Sequence, residues 1–152
     1  MFFDLKSFAE MPALFMENEV WAYSKLLDTS EKITEMIPTR SLVFLLCSNT
    51  PVTIAAYVGF INHGIVPVMI DAALDEDLRA ALLAAYRPTY AWIPAERMAS
   101  FQRGHEILRQ EDYVLLDLEE KSPFPLHDDL ALLMTTSGST GSPKLVRQSY
   151  DN

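Results

Sequence analysis

The sequence is short of cysteine, of basic residues and of long unbroken apolar runs, and each shortage removes a class of explanation. A single cysteine, Cys47, among 152 residues rules out an internal disulfide, and nothing in the chain asks for an oxidising compartment. Cys47 lies in the apolar run SLVFLLC, where a small buried hydrophobe is the expected role. Lys and Arg number 12 against 21 Asp and Glu, for a formal net charge of -9. Such a surface as a whole repels nucleic acid and anionic membrane, although backbone N–H groups can still build a local anion site. The three histidines, His63, His105 and His127, are far apart and lack the spacing of metal ligands. The N-terminal MFFDLKSFAE carries an acid at Asp4 and no basic segment before a long apolar stretch, so it does not read as a secretory signal. A cytoplasmic protein is expected.

Residues 41–70 contain no Asp, Glu, Lys or Arg. A membrane span needs about 20 apolar residues. Here Ser48, Asn49, Thr50 and Pro51 break the run, and Asn62, His63, Gly64 and Pro67 break it again. The expected reading is a buried strand, helix and strand, with no transmembrane segment. Hydrophobic residues at 49% and charged residues at 22% are those of a globular chain about the size of one domain.

PALF and VWAYS, separated by the turn-prone MENE, predict a hairpin near the N-terminus. Ser24 then caps a helix with Leu26, Ile33 and Ile37 on one face and Leu27 and Met36 at its border, stopped by Pro38. Residues 41–47 predict a strand. Thr50 as N-cap and Pro51 at the first helical position start a second helix, with Ile54, Ala55, Val58 and Ile61 inward and Gly64 as its C-terminal cap. Residues 66–70 predict a strand. Asp75, Glu76 and Asp77 open a third helix lined by Leu78, Leu82 and Tyr86 and closed by Arg87 and Pro88. Strands follow at 90–93, 113–118 and 130–135, with a weaker helix at 95–109 and a polar linker or surface loop at 119–129. Apolar strands alternating with helices need crossovers and cover on both faces, so the fold class is α/β with a mainly parallel sheet flanked by helices.

The chemistry concentrates near the end, in LLMTTSGSTGSPKLV. Residues 135–144 hold six Ser or Thr, two Gly, one Pro and one Lys, directly after an apolar strand. Glycines permit tight turns and close approach to a ligand, and successive N–H groups in such a turn form an anion nest. Ser137, Ser139 and Thr140 add neutral donors, and Lys144 adds a point charge. This is the composition of a polyphosphate cradle, and equally of a flexible surface loop; spacing alone leaves both open. It is not the G-x-x-x-x-G-K-[ST] loop, because Gly138 and Gly141 are three apart and Lys144 is three further on. Elsewhere, the pairs at 119–120 and 128–129 read as solvated acids. Arg97, Arg103 and Arg109, expected on the weaker helix, make no basic stripe, and no nucleic-acid module is recognisable.

TSGSTGSPK, residues 136–144, resembles the signature loop of the adenylate-forming superfamily, Thr-Ser-Gly-[Ser/Thr]-Thr-Gly-x-Pro-Lys-Gly, which serves acyl-CoA synthetases, luciferases and the adenylation domains of peptide synthetases. Leu145 departs from the glycine usual after the lysine, which leaves open the backbone path just past the loop. VWAYSKL is similar to the family's early WTYxEL segment, and SNTPVTIAAYVGFINHGIVPVMID to its strand-flanked helix. Trp21 and Tyr23 are expected to be packing residues.

The resemblance implies the N-terminal subdomain of an adenylate-forming enzyme, with residues 1–129 as an α/β subdomain and 130–152 as a strand, the phosphate loop and the start of the next segment. It implies that Thr136, Ser137, Gly138, Ser139, Thr140, Gly141 and Lys144 bind the phosphates of ATP, supplied with Mg2+, while a small carboxylic acid attacks the α-phosphate. The acyl group then passes to coenzyme A or to the phosphopantetheine of a carrier protein, an acyl-CoA synthetase being favoured over an amino-acid adenylation domain. By the same resemblance the adenine and ribose contacts, the acyl pocket and the adenylation lysine lie downstream, and a helix begins near Asn152. The 152 residues are then an N-terminal fragment, without catalytic residues and inactive alone. The alternative is a stand-alone, non-catalytic nucleotide-binding or interaction module.

Overall fold

The computed structural model describes residues 4–101, 103–123, 125–135 and 145–151. A 3-10 turn, Lys6–Phe8, leads into the expected hairpin, β1 (Pro12–Phe15) and β2 (Val20–Ala22). Leu14 faces Trp21 across it, and Phe15 faces Val20. Trp21 is fully buried, so its packing role holds, and Tyr23 packs at the border of the same core.

The hairpin gives way to helix sooner than expected. Helix α1 (Tyr23–Thr34) already includes Ser24, and the capping position falls on Ala22, whose side chain makes no cap bond. The N–H groups of Tyr23 and Ser24 instead donate to the carbonyls of Met11 at 3.0 Å and Ala9 at 2.9 Å. Main-chain acceptors from the preceding segment replace the side-chain cap. Leu26, Ile33 and Ile37 are buried as the periodicity predicts, and Met36 stays exposed.

β3 (Leu42–Cys47), α2 (Pro51–Asn62), β4 (Val66–Asp71) and α3 (Glu76–Tyr86) follow the expected order. The Thr50 side chain accepts from the Thr53 N–H, Pro51 takes the first helical position, and Gly64 adopts φ +65 beyond the C-cap. Ile54, expected inward, is 40% exposed, whereas Ala56, Gly59 and Phe60 are buried with Ala55 and Ile61. The cause is that α2 lies between the sheet and α1, so burial covers two of its sides. Ser30 Oγ donates to the Ala55 carbonyl at 2.7 Å, and a Cβ on Gly59 would lie 2.9 Å from Thr34 Cγ2. In α3 the Asp75 carboxylate accepts from the N–H groups of Asp77 and Leu78, and Arg87 closes the helix at φ 45.

β5 (Tyr90–Pro94) continues into a 3-10 segment, Ala95–Ser100, and then into β6 (His105–Gln110), not into the helix expected over residues 95–109. β6 forms an antiparallel hairpin with β7 (Tyr113–Asp117) through a turn with Glu111 at φ 52. Before it, Gly104 sits at φ +103, where a Cβ would meet the Asp117 carbonyl at 2.7 Å. A bulge between Glu106 and Leu108 interrupts the alternation, and Ile107 and Leu108 both pack on one core. Two adjacent apolar residues on one side mimic a helical stripe. Arg97 therefore falls on the 3-10 segment, Arg103 in the bend after it and Arg109 on β6.

β8 (Leu130–Thr135) matches its expected bounds, and β9 (Leu145–Ser149) completes the sheet. Its order is β6-β7-β5-β3-β4-β8-β9, with β5, β3, β4 and β8 parallel and the pairings of β6, β7 and β9 antiparallel. The fold class is α/β with helices on both faces and a parallel centre. Val43, Leu45, Trp92 and Tyr113 point to the α1–α2 side, and Leu42, Phe44, Leu46 and Ile93 to the α3 side. The period of two in β3 thus feeds two cores. At the amino edge, Arg40 Nη1 donates to the Leu130 carbonyl at 3.0 Å and Nη2 to that of His127, tying the end of the polar segment to β3. Among the described residues no helix is long and apolar enough to cross a membrane.

Candidate functional site

In an open sheet with parallel strands, ligands lodge outside the carboxyl ends, near the strand where the order of connections reverses. That strand is β3: α2 carries the chain to β4 on one side of it, and α3 carries it back to β5 on the other. The ends of β3, β4 and β8 converge there on a cleft of about 420 Å³. Cys47, Ser48 and Asn49 form one wall, Met69 and Asp71 the floor, and Met134 and Thr135 the other wall. The register sets Cys47 beside Asp71 and Met69 beside Met134. Across Ser48 lies a second depression of about 410 Å³, bordered by Ala73, Pro94 and Tyr113.

The polar groups are held firmly. Asp71 Oδ1 accepts from the Ala73 N–H at 2.8 Å, and Thr135 Oγ1 donates to the Met69 carbonyl at 3.5 Å. Tyr113, fully buried and stacked on Trp92 at 5.6 Å, donates its hydroxyl to the Leu46 carbonyl at 2.9 Å and lies 2.5 Å from Ser48 Oγ. Cys47 is half-buried, more open than expected, yet burial pushes its thiol up to about 11, and the neighbouring Asp71 carboxylate adds to the shift. A neutral thiol is a poor nucleophile, so Cys47 is a wall and not a reactive centre. Among the described residues no group of three His, Cys, Asp or Glu could hold a metal ion.

The phosphate-binding set read from the sequence, Thr136, Ser137, Gly138, Ser139, Thr140, Gly141 and Lys144, lies outside the described residues. Its two flanks do not. β8 ends at Thr135 and β9 begins at Leu145, and these two residues are antiparallel cross-strand partners. Thr135 and Leu145 therefore meet at one point of the sheet, and Thr135 lines the carboxyl-edge cleft. Leu145 is extended, half-buried and packed against the α3-side core. That contact is a reason for a leucine where a glycine is usual. Sequence reasoning left β9 unassigned, and it passed over Ser48, Asn49, Asp71 and Tyr113. The available signal was topological: the residues that end successive parallel strands share one edge. The helix expected near Asn152 falls outside the described residues, and a turn occupies Tyr150 and Asp151.

Solved structures share this architecture. An o-succinylbenzoate coenzyme A synthetase from Bacillus subtilis, in complex with AMP, superposes with a TM-score of 0.63 at 19% identity, covering 95% of this chain and 41% of that one. An anthranilate CoA ligase in complex with anthranoyl-AMP gives a TM-score of 0.71 at 17% identity, covering 96% and 33%. These likenesses define the fold, which this chain shares with part of each of those longer proteins. Sequence relatives are a D-alanine–D-alanyl carrier protein ligase of Staphylococcus aureus, 25% identical over 134 residues, and a nonribosomal peptide synthetase of Epichloe festucae, 28% identical over 146. This chain spans 84% and 88% of its own length in those matches, but only 27% and 3% of theirs. The sequence model for the AMP-binding enzyme family matches residues 4–152, and the chain belongs to that family.

Proposed function

We propose that this chain supplies the phosphate-binding portion of an ATP-dependent carboxylic acid ligase whose remaining parts lie outside these 152 residues. The observation that supports the reading is the pairing of Thr135 with Leu145 at the carboxyl edge, next to the cleft at the reversal of strand order. Residues 1–129 then serve as the supporting subdomain, and residues 130–152 begin the phosphate-binding segment. Thr136, Ser137, Gly138, Ser139, Thr140 and Gly141 supply hydroxyl and backbone N–H donors to the ATP phosphates, and Lys144 offsets the charge that develops on departing pyrophosphate. Positioning and fixed dipoles are what such a displacement asks of a protein.

The carboxylate oxygen of the acid forms a bond to the α-phosphorus, and the bond to the pyrophosphate oxygen breaks, giving an acyl-adenylate. A thiol, from coenzyme A or a phosphopantetheine-bearing carrier protein, then takes the acyl group and releases AMP. Mg2+ enters as the counter-ion of ATP and screens its phosphates; the acceptor oxygens of Ser48, Asp71 and Thr135 fit a hydrated cation beside them. The chain by itself binds Mg·ATP weakly and turns nothing over. A cytoplasmic location accords with the lone cysteine, which asks for no oxidising compartment. The test is pyrophosphate release by the full-length protein against a panel of carboxylic acids, with and without coenzyme A. Release that depends on one class of acid supports the reading. ATP hydrolysis indifferent to every acid would remove ligase chemistry from the account.

A further inference from the structure

Hydrogen counting at the cleft assigns its polarity. Tyr113 has one hydroxyl hydrogen, and the Leu46 carbonyl, which can only accept, takes it at 2.9 Å. The 2.5 Å contact between Tyr113 and Ser48 must then be donated by Ser48 Oγ–H. Thr135 spends its hydrogen on the Met69 carbonyl, and the Cys47 thiol spends its own on the Leu45 carbonyl at 3.5 Å. Asp71 is an acceptor throughout. Every side-chain hydrogen on Cys47, Ser48, Asp71 and Thr135 is thus committed to the protein, and these four present lone pairs to the cleft, the Asn49 amide beside them being able both to donate and to accept. Phosphate oxygens, themselves acceptors, gain nothing from those four groups.

We infer that the Ser48 hydroxyl oxygen, oriented by the buried Tyr113 hydroxyl, is an acceptor that receives a hydrogen-donating group of the bound nucleotide complex beside Asn49, with Tyr113 as a positioning residue. This rests on the nucleotide reading of residues 136–144. The donor is either water held by Mg2+ or an O–H or N–H of the nucleoside. Tyr113 acts at a distance: it touches no ligand, but without it the Ser48 hydroxyl is free to turn its hydrogen outward.

The test is a titration of the isotope-labelled chain with Mg·ATP and, separately, with Mg·tripolyphosphate, followed through amide resonances. Both sets, Thr135 with Leu145 and Ser48 with Asn49, are expected to move with Mg·ATP. Movement of Ser48 and Asn49 with Mg·tripolyphosphate as well identifies metal-bound water as the donor; movement with Mg·ATP alone identifies the nucleoside. Tyr113→Phe keeps the ring stack, and it is expected to raise the Mg·ATP Kd about 3- to 10-fold, the loss of one neutral hydrogen bond. Ser48→Ala is expected to do the same without adding to it, and Ser48→Thr to restore wild-type affinity. A lowered melting temperature with unchanged Kd in both Tyr113→Phe and Ser48→Ala would reduce Tyr113 to a structural role and overturn the inference. Movement at Thr135 and Leu145 without Ser48 or Asn49 would overturn it while leaving the nucleotide reading intact. No movement at either set would sink both.

Discussion

At Cys47, position decides chemistry. The residue ends β3 at the mouth of the cleft, yet burial raises its thiol from an ordinary 9.0 to about 11. Little thiolate then remains near pH 8, and alkylation by iodoacetamide is expected to be slower than for an unperturbed thiol by roughly 100-fold. Alkylation at the free-thiol rate would mean that the wall is open. The same shift fixes a sign for stability. The native thiol keeps its proton to higher pH than the unfolded one, so stability falls as pH rises from about 9 to about 11, and Cys47→Ala should flatten that limb. The residue type was legible in the sequence as a small apolar one. Its place at the rim was not, because a strand's apolar run does not say which residue is the last to be covered.

Elements were read well where local chemistry sufficed and poorly where partners decided. The start of α2 needed only Thr50 and Pro51, and its end only Gly64, and all three behave as expected. The start of α1 went to carbonyls of Ala9 and Met11, which no local pattern displays. β6 was hidden because its bulge sets Ile107 and Leu108 side by side. Two substitutions probe these elements. Gly59→Ala gains about 1 kcal/mol of helix propensity but drives a methyl into Thr34 and the Ser30 carbonyl, contacts of 2.9 and 3.0 Å. Overpacking of about 1–3 kcal/mol wins, for a net loss of about 1 kcal/mol in urea unfolding. Stabilisation would show that α1 can move away. Gly104→Ala forces an L-residue to φ +103 against the Asp117 carbonyl, and is expected to cost about 1–3 kcal/mol, with faster amide exchange confined to β6 and β7. Unchanged exchange there would contradict the hairpin. Beside it, the Arg87 guanidinium, helped by Arg103, holds the Glu120 carboxyl below its usual range. The stability this contributes is present above the ordinary carboxylate pKa and lost as pH falls through the lowered one. The gap between wild type and Glu120→Gln should therefore be widest near neutrality and close below about pH 4.

For the whole molecule, the sheet explains why a nine-residue motif can be read as a site. Its flanks, Thr135 and Leu145, are cross-strand partners, and Thr135 lines the cleft that also holds Ser48. The motif was the most legible part of the sequence by resemblance, and the cleft beside it the least, since its residues come from strands far apart in the chain. The solved structures that share this architecture are about two to three times as long as the chain, so the central claim is tested in the intact protein. The measurement is carboxylate-dependent ATP–pyrophosphate exchange, wild type against Lys144→Ala. The account predicts exchange that requires the acid and falls by about 100-fold or more in the variant, the usual consequence of deleting a group aimed at developing charge. Exchange at the wild-type rate in Lys144→Ala would contradict it.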